Sequence, residues 1–333
     1  MELKHLQALL GIADTGSFSA AADLIGTVQS NISAHVARLE RELEVGLVDR
    51  SSGRLTEEGE VVAARARRIM GEIDAMVADV VSLREEVVGS VQLGLIGTTG
   101  RWLVPQLFGR LGRDHPHVHL FVADGTSSTL EPQVASGALD LAVVSLPLTG
   151  DDLVAQPLFE EDLVLVLPSD HPLVEKACRQ PRIPSEFQED PSFIYPCDPL
   201  PLSVLSELEM LLPQAGTVLR AEIDTAASLA GVTLRPSLEL DGLRMIASLV
   251  FDGYGPAILP ASAVPAHLRE RFSLLPLKGL PRRQVGIATR RHGRPSAPAR
   301  ALIEVVSAVI NDPESVPGGL HASHETSRRP LRR

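Results

Sequence analysis

Between residues 29 and 38 stand Gln29, Ser30, Asn31, Ser33, His35 and Arg38, a run of short or forked polar side chains. Amides, hydroxyls and guanidinium groups are what hydrogen-bond base edges in the major groove and the phosphate oxygens beside it. Ile32, Val36, Leu39 and Leu43 recur among them at steps of four, three and four. One face of this stretch is therefore committed to packing and the polar set is left to meet a partner. Ser17 lies ahead of the run, and Arg50 and Arg54 follow it around a turn of small residues. The chemistry on offer is hydrogen bonding to double-stranded DNA.

A second group of small polar residues falls at Thr98, Thr99, Gly100 and Arg101, and again at Gly125, Thr126, Ser127 and Ser128. Each segment follows an alternating apolar run and opens a helical pattern. Free N–H groups at a helix N-terminus, beside hydroxyls, suit a carboxylate or phosphate, so the expected ligand is a small anionic metabolite. The same hydroxyls also suit plain helix capping, and both readings stand at this point. No GxSxG, HExxH or Walker loop supports catalysis, and Gly253-Tyr254-Gly255 lacks the third glycine of a dinucleotide loop. His115, His117 and His119 alternate along a strand whose intervening residues face a core, which puts them on a solvent surface. The expectation is a protein that is not an enzyme and uses no metal or cofactor.

The elements that must position these groups are legible from periodicity. Phe18, Ala21, Ala22 and Leu24 mark a compact helix ahead of the polar one, with Thr27 at the N-cap position between them, and residues 1–60 read as a winged helix-turn-helix. From Thr56 a helix without proline runs to about Val88, and Val62, Ala66, Ile69, Ile73, Met76, Val80, Leu83 and Val87 alternate steps of four and three. That is the seam of a two-stranded coiled coil, so residues 61–88 read as a dimerisation helix. Residues 89–312 alternate strand and helix patterns, an α/β domain in two lobes: lobe I from 89–161 and 265–312, lobe II from 162–264. A helix is expected over Ser203 to Leu212, and residues 313–333 read as a disordered tail.

Bulk composition bounds the partners. The chain has 333 residues, is 44% hydrophobic and carries a net charge of -11. Residues 1–60 alone hold five Lys/Arg against ten Asp/Glu, so binding to random DNA should be weak and operator binding should need several protomers together. No apolar run approaches the roughly 18 residues of a membrane span, which predicts no membrane partner and a cytoplasmic protein. Cys178 and Cys197 offer at most one bridge and no CxxC spacing.

Taken together, MELKHLQALLGIADTGSFSAAADL, SNISAHVARLERELEVGLVDR with LTEEGE, GSVQLGLIG, GALDLAVV, LVLVLPSDHPL and LVFDGYGPAILP occur in an order that resembles the LysR-type transcriptional regulators over nearly the whole chain. The resemblance implies a winged helix-turn-helix, a linker helix and a two-lobed effector domain similar to periplasmic binding proteins. It further implies a homodimer or homotetramer that acts with RNA polymerase. By it, Gln29, Ser30 and Ser33 are base and phosphate contacts, Ser17 is a backbone-phosphate anchor, and Arg50 and Arg54 belong to the wing. It also places Ile194, Tyr195 and Pro196 from lobe II in the cleft with the two hydroxyl segments. Ala34 stands where the family commonly has arginine, and the wing is shorter, so no operator sequence carries over. The competing reading is a two-lobed small-molecule binding module or enzyme whose N-terminal domain serves assembly.

Overall fold

A computed structural model describes residues 1–82, 86–177 and 197–323. It begins with α1 (Leu3–Thr15), α2 (Phe18–Ile25) and α3 (Gln29–Leu43). Ser17 caps α2, its Oγ accepting the Ala20 N–H at 3.0 Å, and so satisfies one of the amides left over at the helix start. Leu6, Leu9, Ile12, Ala21, Ala22, Ile32, Val36 and Leu39 close on one another as a single aliphatic core. Thr27 does not cap α3 as expected. The helix starts one residue later, so Val28 is the cap and contributes no side-chain bond. The Thr27 hydroxyl instead accepts from Asn31 Nδ2 at 2.9 Å.

The wing is a single antiparallel bridge, Val48 to Leu55. Its turn is held by Asp49, which accepts from the Ser51 amide and hydroxyl at 2.9 and 2.7 Å and from the Ser52 hydroxyl at 2.8 Å. Those bonds, the Ser51 hydroxyl foremost, lower the Asp49 carboxyl to about 2. Helix α4 (Glu57–Ser82) then leaves the wing at close quarters: a Cβ on Gly59 would lie 2.1 Å from the Leu47 carbonyl oxygen. Residues 86–88 are not helical, so the helix stops short of the expected residue 88, where Gly89 at φ 127° turns the chain into a strand. Leu83 of the expected seam lies outside the described residues.

Beyond α4 the described residues form two six-stranded sheets. Lobe I is built on β1 (Gly89–Ile96), β2 (Val118–Gly125), β3 (Leu141–Ser145), β4 (Leu153–Glu161), β11 (Arg283–Arg290) and β12 (Leu320–Ala322), in the order β12-β4-β11-β3-β1-β2. Lobe II is built on β5 (Leu163–Pro168), β6 (Leu200–Pro201), β7 (Glu209–Pro213), β8 (Arg235–Leu240), β9 (Ala257–Pro260) and β10 (Phe272–Lys278), in the order β6-β10-β5-β9-β7-β8. The buried runs Leu141-Ala142-Val143-Val144 and Leu163 to Leu167 are strands covered on both faces, which is why they read as continuous apolar stretches. Helices α5 (Gly97–Asp114), α6 (Ser127–Ser136) and α10 (Ala297–Ile310) cover lobe I, with α7 (Pro172–Ala177), α8 (Val218–Leu229) and α9 (Leu243–Phe251) in lobe II.

Three expectations need correcting. Strand β10 pairs with β5 and β6, so the chain returns to lobe I between Lys278 and Arg283 and not at residue 265. The segment Ser203 to Leu212 is a 3-10 turn over Leu202–Glu207 followed by β7, because Met210, Leu211 and Leu212 fill a sheet buried on both sides. Part of the expected tail is ordered: β12 pairs with β4, where its backbone finds partners on an open sheet edge.

Candidate DNA interface and effector cleft

Burial divides α3 as its periodicity requires. Ile32, Val36 and Leu39 are buried, whereas Gln29, Ser30, Asn31 and Arg38 are exposed along the first turns and outer side. Arg41, which the sequence reading passed over, is also exposed one turn beyond Arg38, a position that the 3.6-residue period alone would have given. Ser33 is half-buried and accepts from Arg50 Nη1 at 3.4 Å. Arg50 also pairs with Glu40 at 3.1 Å and lies over the Phe18 ring at 5.8 Å, so it fastens the wing to α3 and α2. Arg54 is exposed on the wing. His35 is displaced from this face: its ring stacks on the buried His5 of α1 at 5.4 Å. Burial lowers the His5 pKa, which favours its neutral ring.

The hydroxyl segments meet at the carboxyl ends of adjacent parallel strands, since β1 and β2 pair in register with Ile96 opposite Gly125. Open α/β sheets hold ligands in the crevice outside the carboxyl ends of their strands where the strand order reverses, here between β1 and β3, so the α5 start lies at that point. Thr98 and Thr99 occupy the first turn of α5 and are buried, Gly100 is half-buried and Arg101 is exposed. Thr126 caps α6 in a reciprocal box with Thr129, and Ser127 Oγ accepts the Ser145 N–H at 3.0 Å. Capping thus accounts for Thr126 and a bond to the end of β3 for Ser127, but neither applies to Thr99, whose Oγ is buried without a hydrogen-bond partner among the described residues. The candidates Ile194, Tyr195 and Pro196 lie outside the described residues.

Contacts between lobes surround this crevice. At its floor, Arg283 donates through Nη2 to Glu161 Oε2 at 2.6 Å and to Thr98 Oγ at 3.1 Å, and Glu161 Oε1 accepts the Ser262 N–H at 3.1 Å. Both groups are almost wholly buried, 4% and 0% exposed at the side chain, and their charges offset each other, while Arg283 Nε has no hydrogen-bond partner among the described residues. At its mouth, Arg244 of lobe II pairs with Asp124 of lobe I at 2.8 Å. Gly97 lies between them, where a Cβ would come within 3.0 Å of the Asp124 carboxylate. Glu222 on α8 is half-buried and its pKa is raised by desolvation, against an opposing pull from Arg283. Trp102 of α5 packs edge-on to Phe159 of β4, with ring centroids 5.9 Å apart. Sequence reasoning missed Arg283, Glu161, Ser262 and Arg244, which converge from segments far apart in the chain.

Two family models match this chain: the bacterial regulatory helix-turn-helix of the lysR family over residues 3–60, and the LysR substrate binding domain over residues 84–198 and 193–310. The chain belongs to the LysR family of transcriptional regulators. It is 29% identical over 311 residues to a probable hydrogen peroxide-inducible genes activator of Mycobacterium leprae, covering 92% of this chain and 93% of that one. It is 26% identical over 314 residues to the DNA-binding transcriptional dual regulator OxyR of Escherichia coli, covering 93% and 95%. A full-length OxyR structure from Pseudomonas aeruginosa superposes with a TM-score of 0.68 at 26% identity, covering 93% of this chain and 94% of that one. This chain is therefore a DNA-binding regulator with an effector-binding domain of the two-lobed LysR type. Among the described residues no single helix is long and apolar enough to cross a membrane, and no three His, Cys, Asp or Glu side chains group as metal ligands.

Proposed function

We propose that α3 enters the major groove of an operator with Gln29, Ser30, Asn31 and Ser33 at base edges, and that Ser17, Arg38, Arg50 and Arg54 hold the flanking phosphates. The observation that carries this is the exposed polar start of α3 on a rigid aliphatic core, with the wing arginines beside it. His35 supports the α1 contact in this reading. Two copies bind together through α4, where Ile69, Met76, Val77, Val80 and Val81 remain exposed. A groove of about 560 Å³ between α1 and α4, lined by Met1, Leu3, Leu6 and Ile69 among others, gives a partner helix somewhere to seat. Dimer or tetramer, the assembly works in the cytoplasm and acts on RNA polymerase at a promoter.

The effector occupies the crevice at the α5 N-terminus, where the unpartnered Thr99 hydroxyl and the first-turn amides suit an acceptor oxygen such as that of a small anion. Peroxide stress is a second candidate signal, because the relatives described above include a probable peroxide-inducible activator. The test is DNase footprinting at the divergent promoter beside its own gene, with and without a panel of small metabolites and with hydrogen peroxide. A protected site whose extent changes with one addition is the expected result. No protection under any condition would refute the regulator reading, and retention of ligand binding after deletion of residues 1–60 with no operator found would favour the two-lobed binding module.

A further inference from the structure

The family match ends at residue 310, yet the chain beyond it stays ordered through Ser323. This segment is fastened at both ends. At its start, Arg110 of α5 bonds the Asp312 carboxylate and reaches Ser315 Oγ at 3.2 Å. Val316 and Leu320 pack on the lobe I core. Gly319 sits at φ 87°, a left-handed turn that a side chain would strain, and it aims the chain along β4. Strand β12 then runs antiparallel to β4, with Leu320 opposite Glu161 and His321 opposite Glu160.

The far end falls on the hinge. Asp162 is the residue between β4 of lobe I and β5 of lobe II. Its N–H donates to the Gly319 carbonyl at 2.9 Å, and its own carbonyl accepts from Ala261 N of lobe II at 2.9 Å. Its carboxylate binds Arg282 Nε at 2.8 Å, on the second crossing between the lobes, and His321 Nε2 at 3.0 Å. One residue therefore links the C-terminal strand, both crossings and lobe II. Sheet edges accept added strands through main-chain bonds, and here the added strand is the chain's own.

We propose that residues 312–323 are a hinge strap, a strand added in cis to the edge of β4 that holds the two lobes at their present angle. Effector-driven rearrangement must then work against the strap or release it; that consequence rests on the cleft reading above, whereas the strap itself does not. Hydrogen exchange on the full chain tests it, comparing wild type with truncation after Asn311, truncation after Ser323 and His321→Ala. Truncation after Asn311 should speed exchange by about tenfold or more in peptides spanning 157–163 and 258–264, with β1 and β3 unchanged. Truncation after Ser323 should match wild type, and His321→Ala should give a smaller rise, about threefold, in the same two peptides. Unchanged exchange in both peptides overturns the proposal. A rise confined to 157–163 overturns it too, because the strap would then cover an edge without holding the hinge. If truncation loosens β1 and β3 as well, the His321→Ala result at the two peptides decides. Failure of the wild-type chain to bind any tested effector while these rises appear would count against the cleft reading and leave the strap standing.

Discussion

Burying a carboxylate is costly unless a compensating charge or hydrogen bonds accompany it, and Glu161 has Arg283 at 2.6 Å. Removing one partner strands the other, so Arg283→Met should destabilise the effector domain by about 3–5 kcal/mol, read from urea unfolding. Glu161→Gln likewise strands a charge, now the Arg283 guanidinium, and turns one of two accepting oxygens into an amide donor, so it should cost a similar amount; losses under about 1 kcal/mol in both variants would show that packing and not charge dominates. Asp140 behaves in the opposite sense. Its pKa is raised, chiefly by burial, against bonds from the Gln92 amide and the charge of Arg290 and with a push from Asp74. The folded state thus holds this proton more tightly than the unfolded chain, and stability falls as pH rises from the ordinary value of 3.8 through the raised one. Asp140→Asn keeps an acceptor for Gln92, so urea midpoints should vary less over that window and be no lower at neutral pH. At this scale the sequence showed which α3 residues are polar and on which face. It could not show that His35 packs on His5, or that Arg283 meets Glu161 from 122 positions further along the chain, because those contacts depend on how distant segments return.

Helices whose own period decides their burial were the most legible elements. In α3 and α10 the spacing of apolar residues names the buried face directly. Residues 203–212 misled because a short leucine-rich run fits either period until the neighbouring strands are known. The ordering of β12 was invisible for a related reason: three residues acquire a structure only from the edge they cover. Helix α4 carries two kinds of face. Ala63 and Ala66 are buried in the helix-turn-helix core, while Met76 and Val80 are 60% and 59% exposed. Replacing both exposed residues, Met76→Glu with Val80→Glu, should convert dimer to monomer in sedimentation and weaken operator binding by about 100-fold or more, the loss of paired attachment. An unchanged mass would place the dimer contact elsewhere.

For the whole molecule, charge and architecture act together. With a net charge of -11, attraction to phosphates must be local to the α3 and wing arginines. Binding to random duplex should therefore be weak and its salt slope small. Arg38→Gln, Arg41→Gln and Arg54→Gln should each reduce the slope by about one for every phosphate left without its counter-charge, measured by titration across salt concentrations. Slopes unaffected by all three would remove these side chains from the DNA backbone interface. In the reading proposed above, the two lobes, joined by crossings at Asp162 and between Lys278 and Arg283, are the part that answers an effector, and α3 is the part that meets DNA. Trp102 is the only tryptophan in the chain, and its indole stands edge-on to Phe159 on the helix that opens the crevice. Red-edge excitation of the unlabelled protein consequently illuminates a single chromophore, and its emission colour and lifetime offer a native optical gauge of whatever enters between the lobes.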